Sequence, residues 1–240
     1  MATPKYATTP YSPTRFPKGL TNANDIDAMG AMGQLDPTRF CTQFDDFSEY
    51  LASDWTITTT GTGTRALTLT EPNGALLITN SAAGTDANWY QGGTAVAIAA
   101  NKQAFFAIRF KVSDAVESVF QAGLVLTDTT PLDATDGIFF QKADGAAVIT
   151  ATVAQAAAAA NRTVNTLAAP LVNNTYIVLA FRWDGKASVE FYVNNEFVSR
   201  ITVTSANIPN DLLRLSFGMQ NGEAVAKNMT VDYVFTAVER

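Results

Sequence analysis

The chain contains no histidine. That removes the Ser-His-Asp triad, the Cys-His dyad, every histidine-ligated zinc site and the commonest general base at once. Cys41 is the single cysteine, so neither an internal disulfide nor a thiolate zinc cluster is available. With no imidazole to activate it, Cys41 reads as a small buried apolar side chain rather than a nucleophile. Oxygen ligands remain. Asp128, Asp133 and Asp136, with Thr127, Thr129 and Thr130, form the densest oxygen cluster, of the hard-donor kind that calcium prefers. Their spacing matches no EF-hand loop, and Asp and Thr favour turns by bonding to their own backbone, so a surface turn is the favoured reading and no metal is assigned. Trp89 and Tyr90, between Asp86-Ala87-Asn88 and Gln91-Gly92-Gly93, could stack a sugar ring, but with three Trp in the chain and no second exposed aromatic in the segment, an aromatic covering the core edge is the favoured reading. Gly61-Thr62-Gly63 and Gly92-Gly93 lack the Lys-Ser/Thr and following helix of a phosphate loop and read as turns or loop tips. No cofactor is implied.

These residues need a scaffold, and composition limits which one. Of 240 residues, 16% are charged, against roughly 25% in an average protein, and Thr, Asn, Ala and Ser take their place, as on strand surfaces. The net charge of −6 argues against nucleic-acid binding, which needs clustered Lys and Arg on phosphates. Met1-Ala2-Thr3-Pro4-Lys5 does not begin a secretory leader, and the Ala95 to Ala100 run is far short of the ~20 residues of a membrane span, so neither is expected. The charge is also segregated. Residues 1–24 carry Lys5, Arg15 and Lys18 and no acid, so the net −6 leaves −9 on the other 216.

Residues 1–40 hold Pro4, Pro10, Pro13, Pro17 and Pro37 without any apolar period, which predicts an extended arm. Tyr6, Tyr11 and Phe16 lie between those prolines and Phe40 follows the last of them, as suits a segment ordered against another surface. From Phe44 onward the period becomes two, and residues 41–240 are read as the sandwich domain. Phe106, Ile108, Phe110 and Val112 share one face over 105–112; Ile177, Leu179, Phe181 and Trp183 share one over 177–183; Val189, Phe191 and Val193 do so over 188–193; and Met229, Val231, Tyr233 and Phe235 over 229–235. Asp184-Gly185 and Asn194-Asn195 tolerate positive φ and predict two-residue hairpins, giving a meander from Tyr176 to Val203. Further turns are predicted at Pro72-Asn73-Gly74, Asp136-Gly137 and Asp144-Gly145. Ala154 to Asn161 is read as strand or a short helical turn. The pattern predicts an all-β antiparallel sandwich behind an N-terminal arm.

Three segments resemble a family. Phe44-Asp45-Asp46-Phe47 with Trp55-Thr56, then Trp183-Asp184-Gly185 leading to Val189-Glu190-Phe191-Tyr192-Val193-Asn194-Asn195, and finally Val231-Asp232-Tyr233-Val234, are similar to the concanavalin A-like (laminin G and laminarinase-type) jelly roll. The resemblance implies that the first and last strands pair. Laminarinase-type hydrolases of that fold carry Glu-x-Asp-x-x-Glu on one strand, because retaining hydrolysis needs two carboxylates about 5 Å apart. No such run occurs here, and neither Glu117 nor Glu190 is followed by a second acid two or four residues on, so the expectation is that the chain is not an enzyme.

A narrower resemblance is to virion proteins of tailed bacteriophages, through Lys18-Gly19-Leu20-Thr21-Asn22, Leu35-Asp36-Pro37-Thr38-Arg39-Phe40, and Gly123 to Asp128 with Asp136 to Lys142. It implies a capsid decoration, or cement, protein of the phage head, made in the host cytoplasm, whose arm binds the major capsid protein. Tyr6, Tyr11, Arg15, Phe16 and Lys18 are the arm residues expected to make that contact. A homotrimer is the first expectation for stoichiometry, since such additions sit at symmetry axes. The alternative is a carbohydrate-binding or host-adhesion module using the concave face of the sandwich, with Trp89 or Tyr192 beside the sugar.

Overall fold

In the computed structural model the structure describes residues 39–68, 70–126, 132, 134–155 and 159–240. The expected arm residues Tyr6, Tyr11, Arg15, Phe16 and Lys18, and Asp128 and Asp133 of the oxygen cluster, lie outside them. By contacts the chain divides into two units, Met1–Cys41 with Arg240, and Thr42–Glu239. In the first, the Arg240 N–H donates to the Arg39 carbonyl at 2.7 Å. The second is the sandwich.

Fifteen strands are described: β1 (Phe40–Asp45), β2 (Trp55–Thr60), β3 (Gly63–Leu67), β4 (Leu76–Asn80), β5 (Ala87–Ala97), β6 (Ala104–Val112), β7 (Ser118–Leu126), β8 (Gly137–Lys142), β9 (Val148–Ala154), β10 (Arg162–Pro170), β11 (Ile177–Trp183), β12 (Ser188–Val193), β13 (Glu196–Thr202), β14 (Leu212–Asn221) and β15 (Asn228–Glu239). One sheet runs β13-β12-β11-β6-β15-β4-β3, with β1 also paired to β15; the other runs β10-β9-β8-β7-β14-β5-β2. The strands pair antiparallel, and the first and last strands are neighbours, as the jelly-roll reading requires. Between the sheets, Phe110 stacks on Phe120 at 4.3 Å, and Phe140 meets Phe181 and Phe191 at 6.3 and 5.5 Å. These contacts identify the inner faces, and the period-two residues of β6, β11 and β12 all lie there.

Four local expectations are corrected. In β15 the register shifts between Val231 and Tyr233, so Met229 and Val231 face the core whereas Tyr233 and Phe235 face outward and Val234 takes the core position. A bulge at Asp232 inserts one residue and flips every side chain after it. Gly92-Gly93 is no turn but lies inside β5. The link from β11 to β12 is four residues, 184–187, because the Asp184 carboxylate accepts the N–H groups of Lys186, Ala187 and Ser188 and the Ser188 hydroxyl, which organises a longer loop. Burial raises the Asp184 pKa, but those donors outweigh it and hold the carboxyl at about 2. Cys41 is half-buried in β1 rather than in the core. Asn194 and Asn195, at φ 51° and 68°, do form the two-residue hairpin between β12 and β13. After β9 ends at Ala154, a short 3-10 turn, Ala159–Asn161, leads into β10.

Candidate functional site

Two rows of side chains cross the outer face of the seven-stranded sheet. Cross-strand pairing sets Thr58, Trp89, Gly218, Gln121, Gln141 and Thr150 in one row, and Thr56, Gln91, Ser216, Gly123, Phe139 and Thr152 in the next. The two glycines make room for the two large rings. A Cβ on Gly218 would stand 2.5 Å from Trp89 Cε3 and 2.9 Å from Trp89 Cα; one on Gly123 would stand 2.6 Å from Phe139 Cα. Gly218→Ala is therefore expected to cost about 1–3 kcal/mol by overpacking against backbone that cannot retreat. A urea-unfolding midpoint unchanged from the parent would contradict the close approach.

Trp89 and Phe139 pack with Val125 and Ala134, and Leu132 lies against them, so this apolar cluster closes part of the face. Trp89 is 2% exposed, which favours the core-covering reading over an open stacking platform. Gln141 ties the segment down: its Nε2 donates to the Leu132 carbonyl at 3.0 Å and its Oε1 accepts from Arg162 at 3.1 Å. The Arg162 guanidinium also lies 5.4 Å from the Phe139 ring centroid. Beside this cluster, both amide atoms of Gln121, Trp89 Nε1 and Thr152 Oγ1 are buried without a hydrogen bond. Each such atom costs about 1–3 kcal/mol relative to a partnered one, so this face retains unused capacity to hydrogen-bond.

The charge on this sheet decides what chemistry it can support. None of β2, β5, β7, β8, β9, β10 and β14 contains an Asp or Glu. Their charged residues are Lys142, Arg162 and Arg214. Lys142 points inward, donating to the Val116 and Ser118 carbonyls, and burial pushes its pKa down. Glu117 precedes β7, and Glu190 lies on the other sheet. There the Glu190 pKa is lowered by hydrogen bonds from the Tyr192 hydroxyl at 2.9 Å and Arg200 at 2.6 Å. Among the described residues no group of three Asp, Glu or Cys side chains could hold a metal ion, and Asp136 is buried.

Trp89 and Tyr192, the two aromatics that a sugar site would use, stand on different sheets and are not brought together. Tyr192 belongs instead to a row Phe197, Tyr192, Ala180, Ala107 and Phe235 across the outer face of the eight-stranded sheet, with Phe44 packed beside Phe235. Sequence periodicity missed the outer face of the seven-stranded sheet. In β7 the outward residues Gln121, Gly123 and Val125 are as buried as the inward ones, which erases the alternation. The surviving signal was a glycine inside each strand pattern, Gly123 and Gly218, marking close approach.

No protein-family model matches the chain, and no curated protein sequence matches it. Solved structures do. A protein of unknown function from Shewanella oneidensis MR-1 aligns with a TM-score of 0.60 at 16% identity, covering 84% of this chain and 87% of that one. The carbohydrate recognition domain of Emp47p aligns at 0.59 and 10% identity, covering 84% and 97%. The β-glucanase of Bacillus licheniformis aligns at 0.59 and 12%, covering 81% and 97%. At these identities the likeness is one of fold, and the chain has the concanavalin A-like jelly-roll fold.

Proposed function

We propose that the chain is a non-enzymatic structural protein of a phage particle, a decoration protein that binds the major capsid protein shell through residues 1–40 and stabilises the head. The observation that carries the non-enzymatic part is the absence of carboxylates from all seven strands of one sheet. Retaining glycoside hydrolysis needs two of them about 5 Å apart, and inverting hydrolysis needs two at roughly 6.5–9.5 Å. The virion part is supported by the sequence resemblance and by the charge segregation, since a basic, aromatic, proline-rich arm loses little entropy on docking and many copies reinforce one another.

The test mixes the full chain with undecorated capsids, sediments them and images the pellet. A second full-length protein carries Tyr6→Ala, Tyr11→Ala, Arg15→Ala, Phe16→Ala and Lys18→Ala. Regular added density with the parent, and at least a tenfold loss of occupancy with the variant, is the expected result. Absence of binding by the parent would end the decoration reading.

A second reading, a carbohydrate-binding or host-adhesion module, is favoured by the unpartnered Gln121 amide and Trp89 indole N–H on one outer face. Saturable binding on a glycan array, lost in Gln121→Leu, would select it over the first.

A further inference from the structure

A cleft of about 300 Å³ opens where β1 faces the start of β2 and the middle of β5. Gln43, Asp45, Asp54, Trp55, Gly92 and Gly93 supply the part of its lining that bears on a ligand. The glycines keep it open. A Cβ on Gly92 would stand 3.0 Å from Gln43 Oε1, and one on Gly93 would meet nothing nearer than the Asp54 carbonyl at 3.8 Å. The Trp55 ring is fixed from behind, stacked on Phe47 at 6.0 Å and edge-on to Phe217 at 5.3 Å.

The polar lining is dominated by acceptors. Asp45 and Asp54 bring two carboxylates, and Gln43 Oε1 is buried without a hydrogen bond. Burial pushes the Asp45 pKa up, the Phe47 N–H and the adjacent Trp55 indole oppose this, and the charges of Asp46 and Asp54 push it up further. Trp55 Nε1 itself makes no well-formed hydrogen bond. No lining residue is basic. The nearby Arg214 is committed elsewhere, donating to the Gly92 and Gly93 carbonyls at 3.0 and 2.6 Å. The cleft thus holds crowded negative charge, an orphaned acceptor and an aromatic wall, with no cation of its own.

We propose that this cleft is a recognition site for a guanidinium group, an arginine side chain presented by a partner polypeptide. A guanidinium carries five N–H donors and no acceptor, which matches two carboxylates and an amide oxygen. Its charge relieves the repulsion among Asp45, Asp46 and Asp54, which a neutral sugar does not. It is planar and weakly hydrated, so it leaves water for an aromatic-walled site more readily than an ammonium. The inference does not rest on the virion reading.

The experiment titrates the full chain with N-acetyl-arginine amide at pH 7 and follows tryptophan fluorescence. Trp89 and Trp183 are each 2% exposed, so Trp55 is the indole placed to respond. A saturable change is expected, weakened about tenfold in Asp54→Asn and in Asp45→Asn, and absent for N-acetyl-glutamine amide and for glucose. Asp54 is exposed, so Asp54→Asn does not threaten folding. The same titration on Arg15→Gln covers the case in which the chain's own arm fills the cleft. A response seen there but not in the parent also supports a guanidinium site. Silence in both proteins, an undiminished response in Asp54→Asn, or an equal response to glucose would overturn it.

Discussion

Phe217→Ala is expected to lower stability by about 3–5 kcal/mol, the cost of removing a large aromatic from a packed core. Phe217 is fully buried in β14, and its ring lies parallel to Tyr90 at 5.1 Å, with Trp55 at 5.3 Å and Phe47 at 6.1 Å meeting it edge-on. Four elements converge there: β2, β5, β14 and the segment after β1. Truncation leaves three rings facing a void that each is too constrained to fill. For a sandwich of this size, 1 kcal/mol corresponds to roughly 2–4 °C, so thermal unfolding should fall by about 10 °C. A loss under about 1 kcal/mol by urea titration would show that the aromatic group is not the centre of packing it is argued to be. Phe217→Leu, which retains most of the volume, should recover much of the loss.

The second large effect concerns a buried cation. The Lys227 side chain is only 5% exposed, and its Nζ donates to Asp114 at 2.6 Å and to Glu223 at 2.5 Å. The Asp114 carboxylate also accepts the backbone N–H groups of Val116 and Glu117 at 2.9 and 3.0 Å. Asp114→Ala removes one counter-ion of a desolvated charge and two turn bonds together, so a cost of about 3 kcal/mol is expected. The pair also has a pH signature. The Lys227 hydrogen bond holds the Asp114 carboxyl at about 2, against the opposing effect of burial and with help from the two backbone donors. The ordinary value is 3.8. A group depressed in the folded state contributes stability above its unfolded pKa and loses it as pH falls towards the folded one. Roughly 2 kcal/mol should therefore disappear between about pH 4 and pH 2, at about 1.4 kcal/mol per unit. Urea midpoints measured from pH 7 to pH 2 should fall less steeply in Asp114→Ala than in the parent. Parallel curves would show that Asp114 and Lys227 are not coupled in solution.

The sandwich was legible in the sequence where one face is buried and the other wet. β6, β11 and β12 alternate because Arg109, Lys111, Arg182 and Glu190 face water while phenylalanines and branched aliphatics face the opposing sheet. The Asn194-Asn195 hairpin was legible too, because its left-handed conformation is a local property of two residues. β15 was read with one error, since the bulge at Asp232 depends on pairing with β6 and no residue type announces it. Gly92-Gly93 was misread for a related reason: glycine marks a sharp turn or a close approach equally well, and only neighbouring strands distinguish them.

For function, the sequence by itself determined what the protein lacks. Missing histidine and the absence of a two-carboxylate run are properties of composition and order, and folding cannot supply residue types that the chain does not contain. What could assemble from distant residues had to wait for the tertiary structure. Only the strand order could reveal that none of the seven strands of one sheet carries an acid while every acid-bearing strand falls in the other, or that Trp89 and Tyr192 belong to different sheets. Only packing could place Gln43, Asp45, Asp54 and Trp55 around one cleft with the glycines of β5. The physical reason is separation along the chain. Side-chain periodicity reports on one strand at a time, whereas a site at the meeting of three strands depends on register and on inter-sheet contact between residues far apart in sequence.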